Sequence, residues 1–207
     1  MKRQIFVVLI LLISVASYSQ FNKNIAIEVR YPLPIGDNFI NKGFDKGYLG
    51  IIDLGLDYNV IEKNGLGLGI VFNTSYLRFS ETDVNLLILS PKIKLEYEIE
   101  LNKLSIIPQI GVGFSSWQYR VYDIIYTDEL GNYLYTSDFK QIENGLTLKG
   151  ATKFVINTDK RVKWYFNIAY EFTRLEKSEY ESANTKYNRN IQMIYPGVGM
   201  IWNFSKS

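Results

Sequence analysis

From Tyr195 to Phe204 the chain alternates: Pro196, Val198, Met200, Trp202 and Phe204 are bulky and apolar, while Tyr195, Gly197, Gly199, Ile201 and Asn203 are mostly small or polar. A period of two puts one set on each face of an extended strand. The aromatic ending on Trp202 and Phe204 directs the apolar face toward lipid. Strands cross a membrane only as a closed barrel, because hydrocarbon offers no partner for the free N–H and C=O groups of an edge. The pattern recurs along the chain, so a barrel is the fold it predicts.

The N-terminus predicts an export route. Lys2 and Arg3 precede an apolar run from Ile5 to Val15, and Ala16-Ser17-Tyr18-Ser19-Gln20 puts small residues at the −3 and −1 positions of a cut after Ser19. Residues 1–19 read as a secretory signal peptide, leaving 20–207 as the barrel domain. The apolar run is about half the roughly 20 residues a spanning helix needs. Loss of Lys2 and Arg3 turns 23 basic and 21 acidic residues into 21 of each, which gives no basis for a nucleic-acid partner. The chain has no Cys and no His. It therefore lacks a disulfide framework, the commonest metal ligand and the usual general base near neutral pH. No residue pattern requires a cofactor or a metal, and the reading is of a protein that is not an enzyme.

Eight segments share the alternation: Asn24–Tyr31, Tyr48–Val60, Leu66–Leu77, Leu87–Ile99, Leu104–Ser116, Leu146–Ile156, Val162–Thr173 and Tyr195–Phe204. The links Ile61–Gly65, Glu100–Lys103 and Asn157–Arg161 are tight and polar. Pro32–Gly47, Gln118–Gln141 and Arg174–Ile191 are long, and Ser80–Asn85 is a short exception. Outer-membrane barrels have short periplasmic turns and longer external loops, which puts both termini on the periplasmic side. Tyr58, Tyr97, Trp164, Trp202 and Phe204 fall near the tight turns, and Tyr31, Tyr48, Tyr76, Phe114, Phe172 and Tyr195 near the long loops, as two girdles would. The predicted fold is all-β, an eight-stranded antiparallel up-and-down transmembrane β-barrel. A soluble lipocalin-like barrel is the rival, with the apolar parity turned inside. Pro91, Pro108 and Pro196 lie within predicted strands, where a closed barrel has no edge to absorb a missing donor, so bulges or strand ends are expected there.

The ending of the apolar N-terminus in Ser17-Tyr18-Ser19-Gln20, the Gly111-Val112-Gly113-Phe114 strand and the Gly197–Phe204 ending resemble the small outer-membrane β-barrel family of Gram-negative bacteria. More narrowly, they resemble the porin-like domain of the Bacteroidetes, which shares the architecture of OmpX and the OmpA barrel. Members often end on the aromatic residue itself, whereas Ser205-Lys206-Ser207 follow Phe204 here. The resemblance implies a place in the cell outer membrane, contact with its lipid, and handling by the insertion machinery during biogenesis.

The parity that faces inward carries Glu28, Arg30, Asp53, Asp57, Lys92, Lys94, Glu96, Glu98, Lys149, Lys153, Lys163 and Glu171. Mixed signs in a narrow barrel predict a plugged polar interior held by paired charges. The carboxylate pairs Glu96 with Glu98 and Asp53 with Asp57 are adjacent on that face, yet they sit beside lysines rather than in a substrate cleft. The loops are the better place for function. Tyr122, Tyr126, Tyr133 and Tyr135 flank Gly131-Asn132, a hairpin signal, so 119–139 is a candidate partner-binding ribbon. The Arg174–Ile191 connection is polar, with alternating charge. The predicted role is envelope structure, adhesion or partner binding through external loops. The alternatives are an accessory subunit of an envelope secretion or assembly machine, like the PorT barrels, and a narrow transporter of ions or small solutes.

Overall fold

A computed structural model describes residues 24–38, 40, 47–79, 84–127, 133–157, 161–176 and 188–203. The predicted signal peptide, the Gly131-Asn132 tip, most of the Arg174–Ile191 connection, and Phe204 of the predicted girdle with Ser205–Ser207 lie outside the described residues. Ten strands follow in order: β1 (Asn24–Arg30), β2 (Leu33–Ile35), β3 (Tyr48–Lys63), β4 (Leu66–Phe79), β5 (Val84–Tyr97), β6 (Ile99–Leu101), β7 (Leu104–Thr127), β8 (Tyr133–Ile156), β9 (Val162–Leu175) and β10 (Asn190–Asn203). The pairing runs β1-β3-β4-β5-β7-β8-β9-β10, and β10 returns antiparallel to β1. β2 continues β1 along β10, and β6 continues β5 along β7. The result is a closed antiparallel barrel of eight staves.

Local chemistry sets the turns. Lys63 pairs with Leu66 across Asn64 and Gly65, both with positive φ (51° and 80°), the backbone that a two-residue hairpin turn requires. Asn102, also at positive φ, starts the turn between β6 and β7. The barrel thus has a turn end, where Asn24 pairs with Asn203, and a loop end carrying the longer connections.

The faces are unambiguous. Ile110 and Phe114 on β7 are 64% and 66% exposed, while Asp53 and Lys94 are 0% and 2% exposed. Apolar parity points out and charged parity points in, which rules out the lipocalin-like arrangement. Water would not tolerate such an exterior; hydrocarbon requires it.

Two expectations need correction. Tyr48 and Tyr195 are not in the outward girdle, because both side chains are buried inside the barrel. For Tyr48 the cause is a register shift between Gly50 and Ile52, which turns Ile51 and Ile52 outward together and inverts the parity beyond them. Tyr195 is on the inward parity of β10 outright. The prolines, too, sit neither at bulges nor at the ends of staves. Each coincides with an interruption of one ladder at unchanged register. The β5–β7 pairs skip Ser90 and Pro91, the ladder along β7 lapses at Tyr97 and Glu98, opposite Pro108 and Ile107, and the gap between β1 and β2 falls opposite Pro196. At the last, Pro196 still accepts a bond from the Tyr31 N–H at 2.9 Å; only the donor it lacks is lost. Next to Pro91 the backbones approach so closely that a Cβ on Gly113 would collide with the Pro91 carbonyl.

Candidate functional site: a layered interior and a projecting ribbon

The interior is built in layers. Nearest the turn end, Asp57, Lys94, Glu96 and Lys153 form one cluster. Lys94 Nζ pairs with Asp57 and lies 2.8 Å from Glu96 Oε2; Lys153 Nζ pairs with Asp57 and lies 3.4 Å from Glu96. Gln109 Nε2 donates to both carboxylates at 3.0 Å, and Asn59 Nδ2 to Glu96 at 2.7 Å. One layer up, Arg30 Nε meets Asp53 at 2.7 Å and Glu28 at 3.4 Å, while Lys92 Nζ meets Glu171 at 3.0 Å. Lys149 Nζ is 3.8 Å from Glu28, which also accepts from Asn167 at 2.8 Å. The lower cluster holds two cations and two carboxylates, the upper three and three. Buried charge survives only when paired, so this balance is a condition of folding.

Two residues of the sequence-predicted set stand apart. Glu98 falls in the break between β5 and β6, and Lys163 lies near the start of β9; both are half-buried at the turn-end rim. Their parity is inward, but the barrel has already opened at that level. Both line a cavity of about 220 Å³ that also touches Glu62, Glu96 and Glu100.

Above the charges comes a belt of hydroxyls: Ser90 to Ser115 at 2.6 Å, Ser115 to Thr147 at 2.5 Å and Thr147 to Thr173 at 2.8 Å, while Ser75 donates to Asp53. Over it lies an apolar plug that the sequence reading missed. Leu77, Leu86, Ile88, Trp117, Ile191 and Met193 point inward and bury one another, capped by Ile40 from the first long connection. Near the loop end both parities are apolar, so alternation alone does not separate inside from outside there. The inward phase, continued from Lys92 through Ser90 to Ile88 and Leu86, was the available signal. The Arg30 guanidinium packs 4.5 Å from the Tyr195 ring centroid, joining the charge layer to the plug.

β7 and β8 extend past the other strands, each 24 residues long against 14 to 16 for the other long staves. They pair with each other from Leu104↔Ile156 to Thr127↔Tyr133. β5 stops pairing with β7 at Val121, and β9 stops pairing with β8 at Gly145. Tyr122 falls in a register shift between Val121 and Ile124, Tyr126 pairs with Tyr135, and Tyr133 opens β8. The ribbon is a two-stranded sheet with both backbone edges outside the barrel's ladders.

No family model matches the chain, and no curated protein matches it in sequence. Solved structures do. The chain is similar to Neisserial surface protein A, with 11% identity, a TM-score of 0.56, and coverage of 89% of this chain and 98% of that one. It is also similar to a major outer membrane protein from Thermus thermophilus, with 10% identity, a TM-score of 0.55, and coverage of 89% and 100%. The fold is that of the small outer-membrane β-barrels. At such low identity this likeness concerns the path of the backbone. The charge layers, the apolar plug and the ribbon of this outer-membrane barrel fold are read from its own side chains and registers.

Proposed function

We propose that the chain is a non-enzymatic integral barrel of the cell outer membrane that acts outside the cell through the β7–β8 ribbon, while its plugged interior serves as a rigid foundation. The reading rests on one observation: among the described residues, no strand besides β7 pairs with β8 from Tyr133 to Lys140, where the ribbon leaves the barrel. At roughly 3.3 Å per residue that is about 25 Å of edge. Such an edge accepts a strand from a partner, and tyrosines supply rigid contact area with a polar tip. Tyr122, Tyr126, Tyr133 and Tyr135 are the proposed contacts. Outer membrane lipid surrounds the barrel, and the ends of the described chain, Asn24 and Asn203, face the periplasm. Narrow transport is the weaker reading, because paired charges and an apolar plug lie in series along the axis.

The test is a deletion of 124–136 with the ribbon reclosed by a two-residue turn. The shortened protein should remain a heat-modifiable barrel in detergent while losing recovery of the proteins that co-purify with the full chain from its own membranes. Unchanged recovery refutes the role of the ribbon. Stable single-channel conductance of the purified full chain would favour transport instead.

A further inference from the structure

The mouth of the barrel at the turn end breaks the charge balance kept inside. Its cavity of about 220 Å³ opens over Asp57, Glu96, Lys94 and Lys153, whose charges cancel. The remaining charged lining is Glu62, Glu98, Glu100 and Lys163, a surplus of two negative charges. Among the described residues no cation pairs with Glu62, Glu98 or Glu100, and Lys163 Nζ donates to Asn157 Oδ1 at 3.4 Å instead. Glu62 reaches the mouth through a bulge. A register shift between Asn59 and Ile61 sets it opposite Gly67 on the inward face, whereas unbroken alternation from Asp57 and Asn59 would turn it outward. At Gly67 a Cβ would stand 3.0 Å from Glu96 Cγ and 3.1 Å from Asn59 Nδ2, so the glycine keeps that space open.

Asn59 is a second, independent sign of a ligand. It lines the same cavity and is 7% exposed. Its Nδ2 donates to Glu96 at 2.7 Å and reaches Glu62 at 3.5 Å, and these two carboxylates fix which way the amide faces. Its Oδ1 is left buried without a donor. A buried acceptor beside surplus carboxylates calls for N–H donors that carry positive charge. Among the described residues no three acidic side chains converge as a metal ion would require. The negative charge is spread along the mouth, which suits two cations at the ends of a flexible chain.

We infer that the turn-end mouth binds a linear aliphatic diamine, one ammonium donating to Asn59 Oδ1 and Glu62 and the other meeting Glu98 and Glu100 at the rim. The site lies at the opposite end of the barrel from the ribbon and does not depend on the ribbon's role. The test is titration calorimetry of the full chain in neutral detergent at about 150 mM salt, where exposed charges are largely screened. Butanediamine should bind, and butylamine, with one ammonium, should bind about tenfold more weakly, the worth of one set of charge-assisted hydrogen bonds. E62Q should weaken butanediamine by about tenfold on the same grounds, while E176Q, exposed at the loop end, should change nothing. E98Q gives the same reading if E62Q fails to form a heat-modifiable barrel. No binding of butanediamine at millimolar concentration overturns the inference, as does equal affinity for butylamine or undiminished binding by a folded E62Q. Displacement by magnesium at equal concentration would mark a metal site, and tighter binding of a capped lysyl-lysine peptide would assign the mouth to a protein side chain; either result overturns the diamine.

Discussion

Replacing Asp57 by Asn tests whether the interior is held by charge balance or merely by filled volume. Asp57 pairs with both Lys94 and Lys153 and accepts from Gln109, all buried. The substitution keeps the shape and removes one charge, leaving two ammoniums to share Glu96. Removing one partner of a buried pair costs about 3–5 kcal/mol. Lys94 keeps Glu96 at 2.8 Å and Lys153 keeps it at 3.4 Å, so the low end, about 3 kcal/mol, applies. Lys153→Met removes a cation instead and strands a carboxylate, with a similar loss. D57N/K153M restores one cation to one anion, and replacing a buried pair by uncharged groups is often near neutral. The double variant should therefore be more stable than either single, within about 1.5 kcal/mol of the parent. The assay is reversible urea unfolding in phospholipid vesicles, followed by tryptophan fluorescence. Losses that simply add in the double variant would refute the pairing argument and leave packing as the explanation.

Further outcomes follow from the two faces and the interrupted ladders. Ile110→Arg, in the middle of the outward band of β7, should cost about 2–4 kcal/mol in lipid, whereas Ile110→Leu should be silent; the same vesicle unfolding assay reads both. Pro91→Ala should change stability by less than about 0.5 kcal/mol, since its ladder is already open at that point. Ile93→Pro, two residues on and paired with Ile70 and Val112, should prevent refolding into the heat-modifiable form seen on a gel.

How much of this was legible depends on how strongly the two faces differ. Along β5, Ser90, Lys92, Lys94 and Glu96 oppose Leu89, Pro91, Ile93 and Leu95, and the alternation specifies strand, phase and inside at once. The interior pairings are another matter. Asp57 meets Lys153 from a stave distant in the chain, and only the register around the barrel brings them together. At the loop end Leu86 and Leu87 are both apolar, so composition carries no phase and the plug stayed hidden. The bulge at Gly50 to Ile52 was equally silent, since a single extra residue leaves no compositional mark yet reverses the direction of Tyr48. Glu98 and Lys163 have the right parity, but depth along the axis is not encoded by a period of two.

The pairing of β1 with β10 has a consequence for how the molecule is made. Asn24 meets Asn203, so the hydrogen bonds that close the cylinder join the two ends of the described chain. That seam cannot form until the last strand is present, and it carries the loop-closure entropy of nearly the whole polypeptide. Every earlier intermediate has two open edges and an apolar outer parity with nothing to cover it. Such a chain aggregates in water unless it is held unfolded and handed directly to a membrane. The seam also holds one of the three ladder interruptions, between Arg30↔Gly197 and Leu33↔Ile194, with Pro32 on one side of the gap and Pro196 on the other. Closure therefore falls to a junction in two pieces, seven register pairs through β1 and three through β2, and the sheet zips shut last across the gap between them.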